Sequence, residues 1–343
     1  MKKKITAAVL AAMATAVFVG CSSEAVGYSG AYWNDQPNSQ TILPIYEKLT
    51  YDVTKVNGED IGLSSYKRAG FELKISSGSY ETELFTSDDN SEYIYKTSLK
   101  IKGAYIYGDK SYEVDDYTQT ETHFKGISDN LAPISSVKKL KNVTPSALEP
   151  QSENDFYEIE AEISVNYSGE NADITSTIKN LKATGENAVT ERTATIKGYN
   201  KQSFIEDDIM IFAFRAFEIN GSFSKAFTTL DASAERVKNV KCEITGLAAA
   251  GGKDVPATPV TLKNVLTDDK LRDTIDFTTY GVTFSTTGGE AQAFRYVYYA
   301  TNKVSDGVEV DNEHRHRPVR MYQPLIFSSG YLAFDLKTVR TKK

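Results

Sequence analysis

Tyr157-Glu158-Ile159-Glu160-Ala161-Glu162-Ile163-Ser164-Val165-Asn166-Tyr167 is the stretch that decides the fold class. Tyr157, Ile159, Ala161, Ile163, Val165 and Tyr167 are apolar or aromatic, and Glu158, Glu160, Glu162, Ser164 and Asn166 between them are polar. Side chains of an extended strand alternate between two faces, so this pattern sets one face on a core and the other in water. That is the habit of antiparallel sheets.

Outward from this stretch the period of two recurs. It marks further strands over 48–56, 71–76, 80–86, 92–107, 112–125, 134–141, 172–180, 192–197, 223–230, 237–245, 274–285, 293–301, 319–327 and 331–339. Turn residues separate them: Asn57-Gly58, Ser77-Gly78, Asp88-Asp89-Asn90, Gly108-Asp109, Ser168-Gly169, Gly288-Gly289 and Ser329-Gly330. No helical pattern recurs between strands, which argues against a doubly wound α/β fold and the solute receptors built on it. The expected architecture is all-β and mainly antiparallel: a large curved sheet, an incomplete barrel or two packed β units. Lipoproteins whose incomplete barrel is closed by helices, the lipoprotein-localisation chaperone class, are an analogue of shape alone, since no residue motif points to that family.

One segment departs from the period of two. Over 206–217, Ile209, Phe212, Ala213, Ala216 and Phe217 recur at helical spacing behind Glu206, Asp207 and Asp208, whose charges suit a helix N-terminus. The alternation of Phe212, Phe214 and Ala216 also fits a strand. The spacing favours a short helix packed on the sheet, with a second helical turn expected over 268–273. Residues 144–152 are polar and carry two prolines, and 248–259 are rich in Gly, Ala and Pro. The first stretch is either a linker between β-rich units 42–145 and 153–343 or a long connection within one domain, 42–343; the second reads as an exposed loop.

The leader predicts an address. Lys2, Lys3 and Lys4 precede a mostly apolar run over 5–19, then Gly20, Cys21, Ser22 and Ser23. Such a stretch reads as an export signal, short for a membrane-spanning helix. It resembles the bacterial lipoprotein signal, whose lipobox ends in a small residue followed by the lipidated cysteine, although Phe18 stands where that family most often has leucine. The resemblance implies cleavage between Gly20 and Cys21, a diacylglyceryl thioether on Cys21, a possible acyl group on the new amino terminus, and a cell membrane or outer membrane location. Each buried methylene contributes roughly 0.8 kcal/mol, so two or more chains hold firmly. Without acylation the same residues would serve as an ordinary secretory peptide. On the lipidated reading, 1–20 is the signal peptide and 21–41 a tether.

Composition narrows the classes of function. Cys242 is the one cysteine besides Cys21, so no internal disulfide is available, and its alternating context predicts a small buried hydrophobe. Loss of the leader removes three lysines and no acid, taking the formal charge from −7 to −10. That balance argues against nucleic acid and against electrostatic adhesion to an anionic membrane, leaving the lipid as the membrane contact.

Chemical motifs are sparse. His314 and His316 project to one side of a strand while Glu313 projects to the other, so no metal site is expected. His123 shares a polar face with Gln119 and Glu121 and reads as solvated. Of the acidic clusters Asp88-Asp89, Asp115-Asp116, Asp207-Asp208, Asp268-Asp269 and Asp311-Asn312-Glu313, most read as turns or helix starts, and none as carboxyls facing each other across a bond. No nucleophile elbow, phosphate loop or dinucleotide fingerprint occurs, and neither a cofactor nor an enzymatic role is expected. The 21 tyrosines against one tryptophan are the remaining signal. Tyr93, Tyr95, Tyr105 and Tyr107, with Phe212 and Phe217, are the candidate ligand-facing aromatics, with cross-strand packing as the alternative role. The expected function is that of a membrane-anchored envelope lipoprotein that binds a ligand or envelope partner through a sheet face or concavity. The alternative is a structural or adhesive surface protein, with an envelope hydrolase third.

Overall fold

A computed structural model describes residues 46–62, 71–88, 91–126, 129–145, 155–185, 188–201, 203–216, 224–244, 258–286, 296–300, 303–305, 308–311, 317–325 and 328–342. The leader, Gly20, Cys21, Phe217, His314 and His316 lie outside these residues. The fold is all-β and antiparallel almost throughout, with one short helical segment.

The first eight strands form a meander: β1 (Tyr46–Val56), β2 (Glu72–Thr86), β3 (Tyr93–Tyr107), β4 (Lys110–Phe124), β5 (Pro133–Pro145), β6 (Phe156–Ser168), β7 (Asn171–Asn180) and β8 (Val189–Lys197), each pairing with the next. The later strands are β9 (Ser224–Asp231), β10 (Arg236–Ile244), β11 (Thr258–Thr267), β12 (Lys270–Thr286), β13 (Tyr296–Ala300), β14 (Lys303–Ser305), β15 (Val308–Asp311), β16 (Pro318–Pro324) and β17 (Tyr331–Lys342). β1 joins β17, and the sheet continues through β16, β13, β12 and β10 to β9. β11 pairs antiparallel with β12 and parallel with β17 at Leu266↔Thr338 and Thr267↔Val339. β17, β16, β13, β12 and β11 therefore close a five-stranded ring, and the meander extends from it through β1 as one hydrogen-bonded sheet. The ladder is unbroken from β5 to β6, with Pro145 opposite Phe156.

The quoted stretch is β6. Its face carrying Ile163 and Val165 is buried, with Ala172 and Ile174 of β7, against Tyr199 and Leu230. Its glutamates face the other way, where Lys141 meets Glu158 at 3.0 Å and Lys139 meets Glu162 at 3.5 Å.

Local expectations fail in three places. Ser77-Gly78 is no turn: β2 runs through it with a bulge between Ile75 and Ser77. Gly78 is there because a Cβ would sit 2.6 Å from the Val53 carbonyl oxygen, and Gly103 opposite the bulge would put one 2.0 Å from that of Lys74. These close approaches let two fifteen-residue strands bend round the core. Residues 268–273 hold no helical turn. Asp268 and Asp269 adopt positive φ in a β11–β12 hairpin turn, and Asp268 accepts hydrogen bonds from the Thr341 N–H and hydroxyl, both at 2.7 Å. The strand β11 itself escapes the sequence reading because Lys263-Asn264 interrupts its alternation, and Asn264 has a positive φ.

The helix over 206–217 is present as a 3-10 turn (Asp207–Ile209), one α-turn α1 (Met210–Ala213) and a second 3-10 turn (Phe214–Ala216). Met210, Ile211 and Phe214 are buried along with Ile209, Phe212 and Ala213, so the segment is covered on all sides, which is why its pattern also fits a strand. Phe212 packs on Tyr95 of β3 and Phe124 of β4, while Phe214 packs on Phe227 of β9 and Phe284 of β12. The segment is thus clasped between the two arms of the sheet. Tyr299 donates a hydrogen bond from its hydroxyl to the Ile211 carbonyl at 2.8 Å.

Candidate functional site

The clasped segment covers only part of the sheet's inner face. Register carries that face from strand to strand in rows. One runs Leu99, Thr118, Leu140, Ala161 and Ile178 across β3 to β7. The next runs Ile101, Asp116, Asn142, Ile159 and Asn180, with Asn142 joined to Asp116 through a side-chain hydrogen bond. Leu140, Ala161, Ile159 and Ile178 are only half-buried, and Tyr157, one row on, is 53 % exposed. Apolar residues at inward positions therefore face open space where the helical segment does not reach.

At the β3–β4 end of these rows the face deepens into a concavity of about 330 Å³. Its floor includes Leu73, Leu99, Ile101, Tyr105, Val114, Asp116, Thr118, Asn142 and Thr144, and its rim is the end of the β16–β17 hairpin, Gln323 to Leu325 with Leu332. The Ser328 hydroxyl pins this hairpin to β2 by accepting from the Leu73 N–H at 3.0 Å. The volume falls at the lower end of the range for small-molecule sites.

Asp116 is the only charged residue lining the concavity among the described residues. Where β4 and β5 part beyond the Tyr117–Lys141 pair, its carboxylate inserts between the strands. One oxygen accepts from the Val143 N–H at 2.8 Å and the other from Asn142 Nδ2 at 3.0 Å. Burial pushes its pKa up to about 7, against the lowering effects of the Val143 hydrogen bond and Lys141, with Asp115 and Glu158 adding to the rise. Burial, with Asp116 adding to it, also pushes the Tyr105 hydroxyl up to about 12. The Asp115-Asp116 pair lies mid-strand, where the expected strand over 112–125 places it, with Asp115 on the outer face 3.7 Å from Lys102. The signal that could have marked it is Asp116 at an inward position, interrupting the series Tyr112, Val114 and Thr118.

A second polar cluster opens the helical segment. Glu206 caps it by accepting from the Asp208 N–H at 2.6 Å, and Lys138 of β5 meets Asp208 at 2.9 Å. Burial, with Asp208 and Asp207 adding to it, pushes the Glu206 carboxyl up to about 8, and burial pushes Asp207 up to about 6. The cavity beside them measures about 40 Å³, room for one water but not for a substrate. Deeper in the core, Glu47 of β1 binds two guanidinium groups. Both nitrogens of the Arg215 fork reach its carboxylate, one at 3.1 Å, and Arg317 Nε reaches it at 2.7 Å. All three side chains are buried, and the cluster ties the helical segment to β1 and to the start of β16.

The aromatics singled out from the sequence separate into two groups. Tyr105 lines the concavity. Tyr95 and Phe212 are buried against each other, so as ligand-facing groups both are corrected: they are core. Tyr93 is half-buried and stacks on Phe124, and Tyr107 packs on Phe71, so neither lines the concavity. Cys242 is buried, and its thiol lies 3.3 Å from the Lys225 carbonyl oxygen. His123 lies on the outer face between Glu121 at 3.0 Å and Glu92 at 3.3 Å. No group of three or more potential metal ligands assembles among the described residues, and no helix among them is long and apolar enough to cross a membrane.

No protein-family model matches the chain, and no curated protein matches it. Among solved structures it is similar to a beta-barrel-like protein, a domain of unknown function, from Brucella abortus. The two share 13 % identity at a TM-score of 0.41, over 87 % of this chain and 98 % of that one.

Proposed function

We propose that this chain is an envelope lipoprotein held to a membrane by acyl groups on Cys21, and that its sheet concavity binds a ligand with an apolar body, without catalysis. The observation that supports binding is the row Leu99, Leu140, Ala161 and Ile178, apolar at inward positions yet only half-buried, leading into the 330 Å³ concavity. Keeping such residues in water forgoes roughly 25 cal/mol for every Å² that a ligand would cover. The support for the anchor is the leader ending in Gly20-Cys21.

Two experiments test the two halves. Cells fed labelled palmitate should label the chain, and Cys21→Ser should abolish the label; an unlabelled parent chain refutes the anchor. A fluorescent apolar reporter should bind the purified protein, and Leu140→Glu, which sets a charge in the middle of the row, should weaken it by about tenfold or more. Unchanged binding in that variant refutes the row as part of the site.

A further inference from the structure

Resting on the proposed concavity, we infer that its ligand is a cationic amphiphile: a long apolar chain lying across β3 to β7 with an amine head seated at Asp116. The chain part follows from register. Leu99, Leu140, Ala161 and Ile178 lie in one row across five strands, four inter-strand steps of about 4.8 Å, so the row spans about 19 Å. That is a track long enough for an extended hydrocarbon.

The head follows from Asp116. Among the described residues it has no ion-pair partner, and its two bonded neighbours, the Val143 N–H and the Asn142 amide, are both uncharged. Each carboxylate oxygen has spare acceptor capacity beyond the one bond it already makes. A half-buried carboxylate with only neutral donors gains most from an arriving cation, because charge-assisted hydrogen bonds are about twice as strong as neutral ones. An anionic head would be repelled by that carboxylate and would find no cationic residue in the lining of the concavity. A sugar head would satisfy hydrogen bonds but leave the charge unmatched.

The test compares three probes that share a twelve-carbon chain: dodecylamine, dodecyl maltoside and laurate. Binding is measured on the full chain carrying Cys21→Ser, which is not acylated, by displacement of the apolar reporter below each probe's micelle concentration. Dodecylamine should bind at least about tenfold tighter than laurate at pH 8. Asp116→Asn keeps an acceptor for the Val143 N–H and removes the charge, and it should bring the two within about twofold. Dodecyl maltoside should bind both proteins alike, which reports that the concavity is intact in the variant. Equal binding of all three probes, or an amine preference that survives in Asp116→Asn and so belongs to the general negative charge of the protein, overturns the head-group inference. In that case Leu140→Glu still weakens every probe if the row holds the apolar chain. Failure of every probe to bind sinks the concavity reading and this inference with it.

Discussion

Glu47 offers the sharpest test of how this core is held together. It is buried with Arg215 and Arg317, and Arg317 Nε lies 2.7 Å from its carboxylate. Burial alone would raise its pKa, but the two guanidinium groups outweigh burial and lower it from 4.5 to about 2. That lowering corresponds to about 3 kcal/mol of native stability at roughly 1.4 kcal/mol per pH unit. Glu47→Gln keeps the shape and removes the charge, leaving two guanidinium groups buried without a counter-ion. Breaking a buried ion pair from one side costs about 3–5 kcal/mol, so the two routes to the magnitude agree. In urea unfolding at pH 7 the variant should lose about 3–5 kcal/mol with an unchanged slope. An acid whose folded pKa is depressed contributes stability above its unfolded pKa and loses it as pH falls through the folded one. The gap between parent and variant should therefore be constant above about pH 5 and should close as the pH falls toward about 2. A loss below about 1 kcal/mol, or a gap that does not narrow in acid, refutes the cluster as a clasp on the helical segment.

Asp116→Asn should stabilise the protein by about 1–2 kcal/mol at pH 8 and leave it unchanged at pH 4, because an acid with a raised folded pKa loses stability as pH climbs between its unfolded value and about 7. Calorimetric melting at the two pH values checks this, and a variant less stable at pH 8 contradicts it. Gly103→Ala should cost about 2 kcal/mol or more, read from urea midpoints, because the new methyl would stand 2.0 Å from the Lys74 carbonyl oxygen. Tyr299→Phe leaves the Ile211 carbonyl without its partner and should cost about 1–2 kcal/mol by the same assay. Raising the pH from 5 to 9 should loosen the helical segment, since the raised carboxyls of Glu206 and Asp207 ionise while buried. Hydrogen exchange corrected for intrinsic rates should show 207–213 opening, and more so in Lys138→Met, which removes the ammonium group facing Asp208.

Much of this fold is written in local chemistry. Alternation over 157–167 states which side of β6 meets the core, because the strand's period of two is a property of the backbone and needs no partner to define it. The burial of Cys242, the helical segment behind Glu206-Asp207-Asp208 and the solvated face of His123 are legible for the same reason: each depends on neighbours a few residues away. Ser77-Gly78 misleads because a glycine that permits a turn and one that permits another backbone to approach look alike in sequence. Only the pairing with β1 tells them apart.

What the chain alone determines is an all-β, antiparallel protein with one short helix, since periodicity is local. Tertiary structure alone decided that β11 meets β17 to close a ring, that Tyr95 and Phe212 are core while Tyr105 borders open space, and that Asp116 sits where β4 and β5 part. Those outcomes depend on contacts between residues tens to hundreds of positions apart, such as Glu47 with Arg215 and Arg317. A pattern with a period of two says which way a side chain points, but not what stands in front of it.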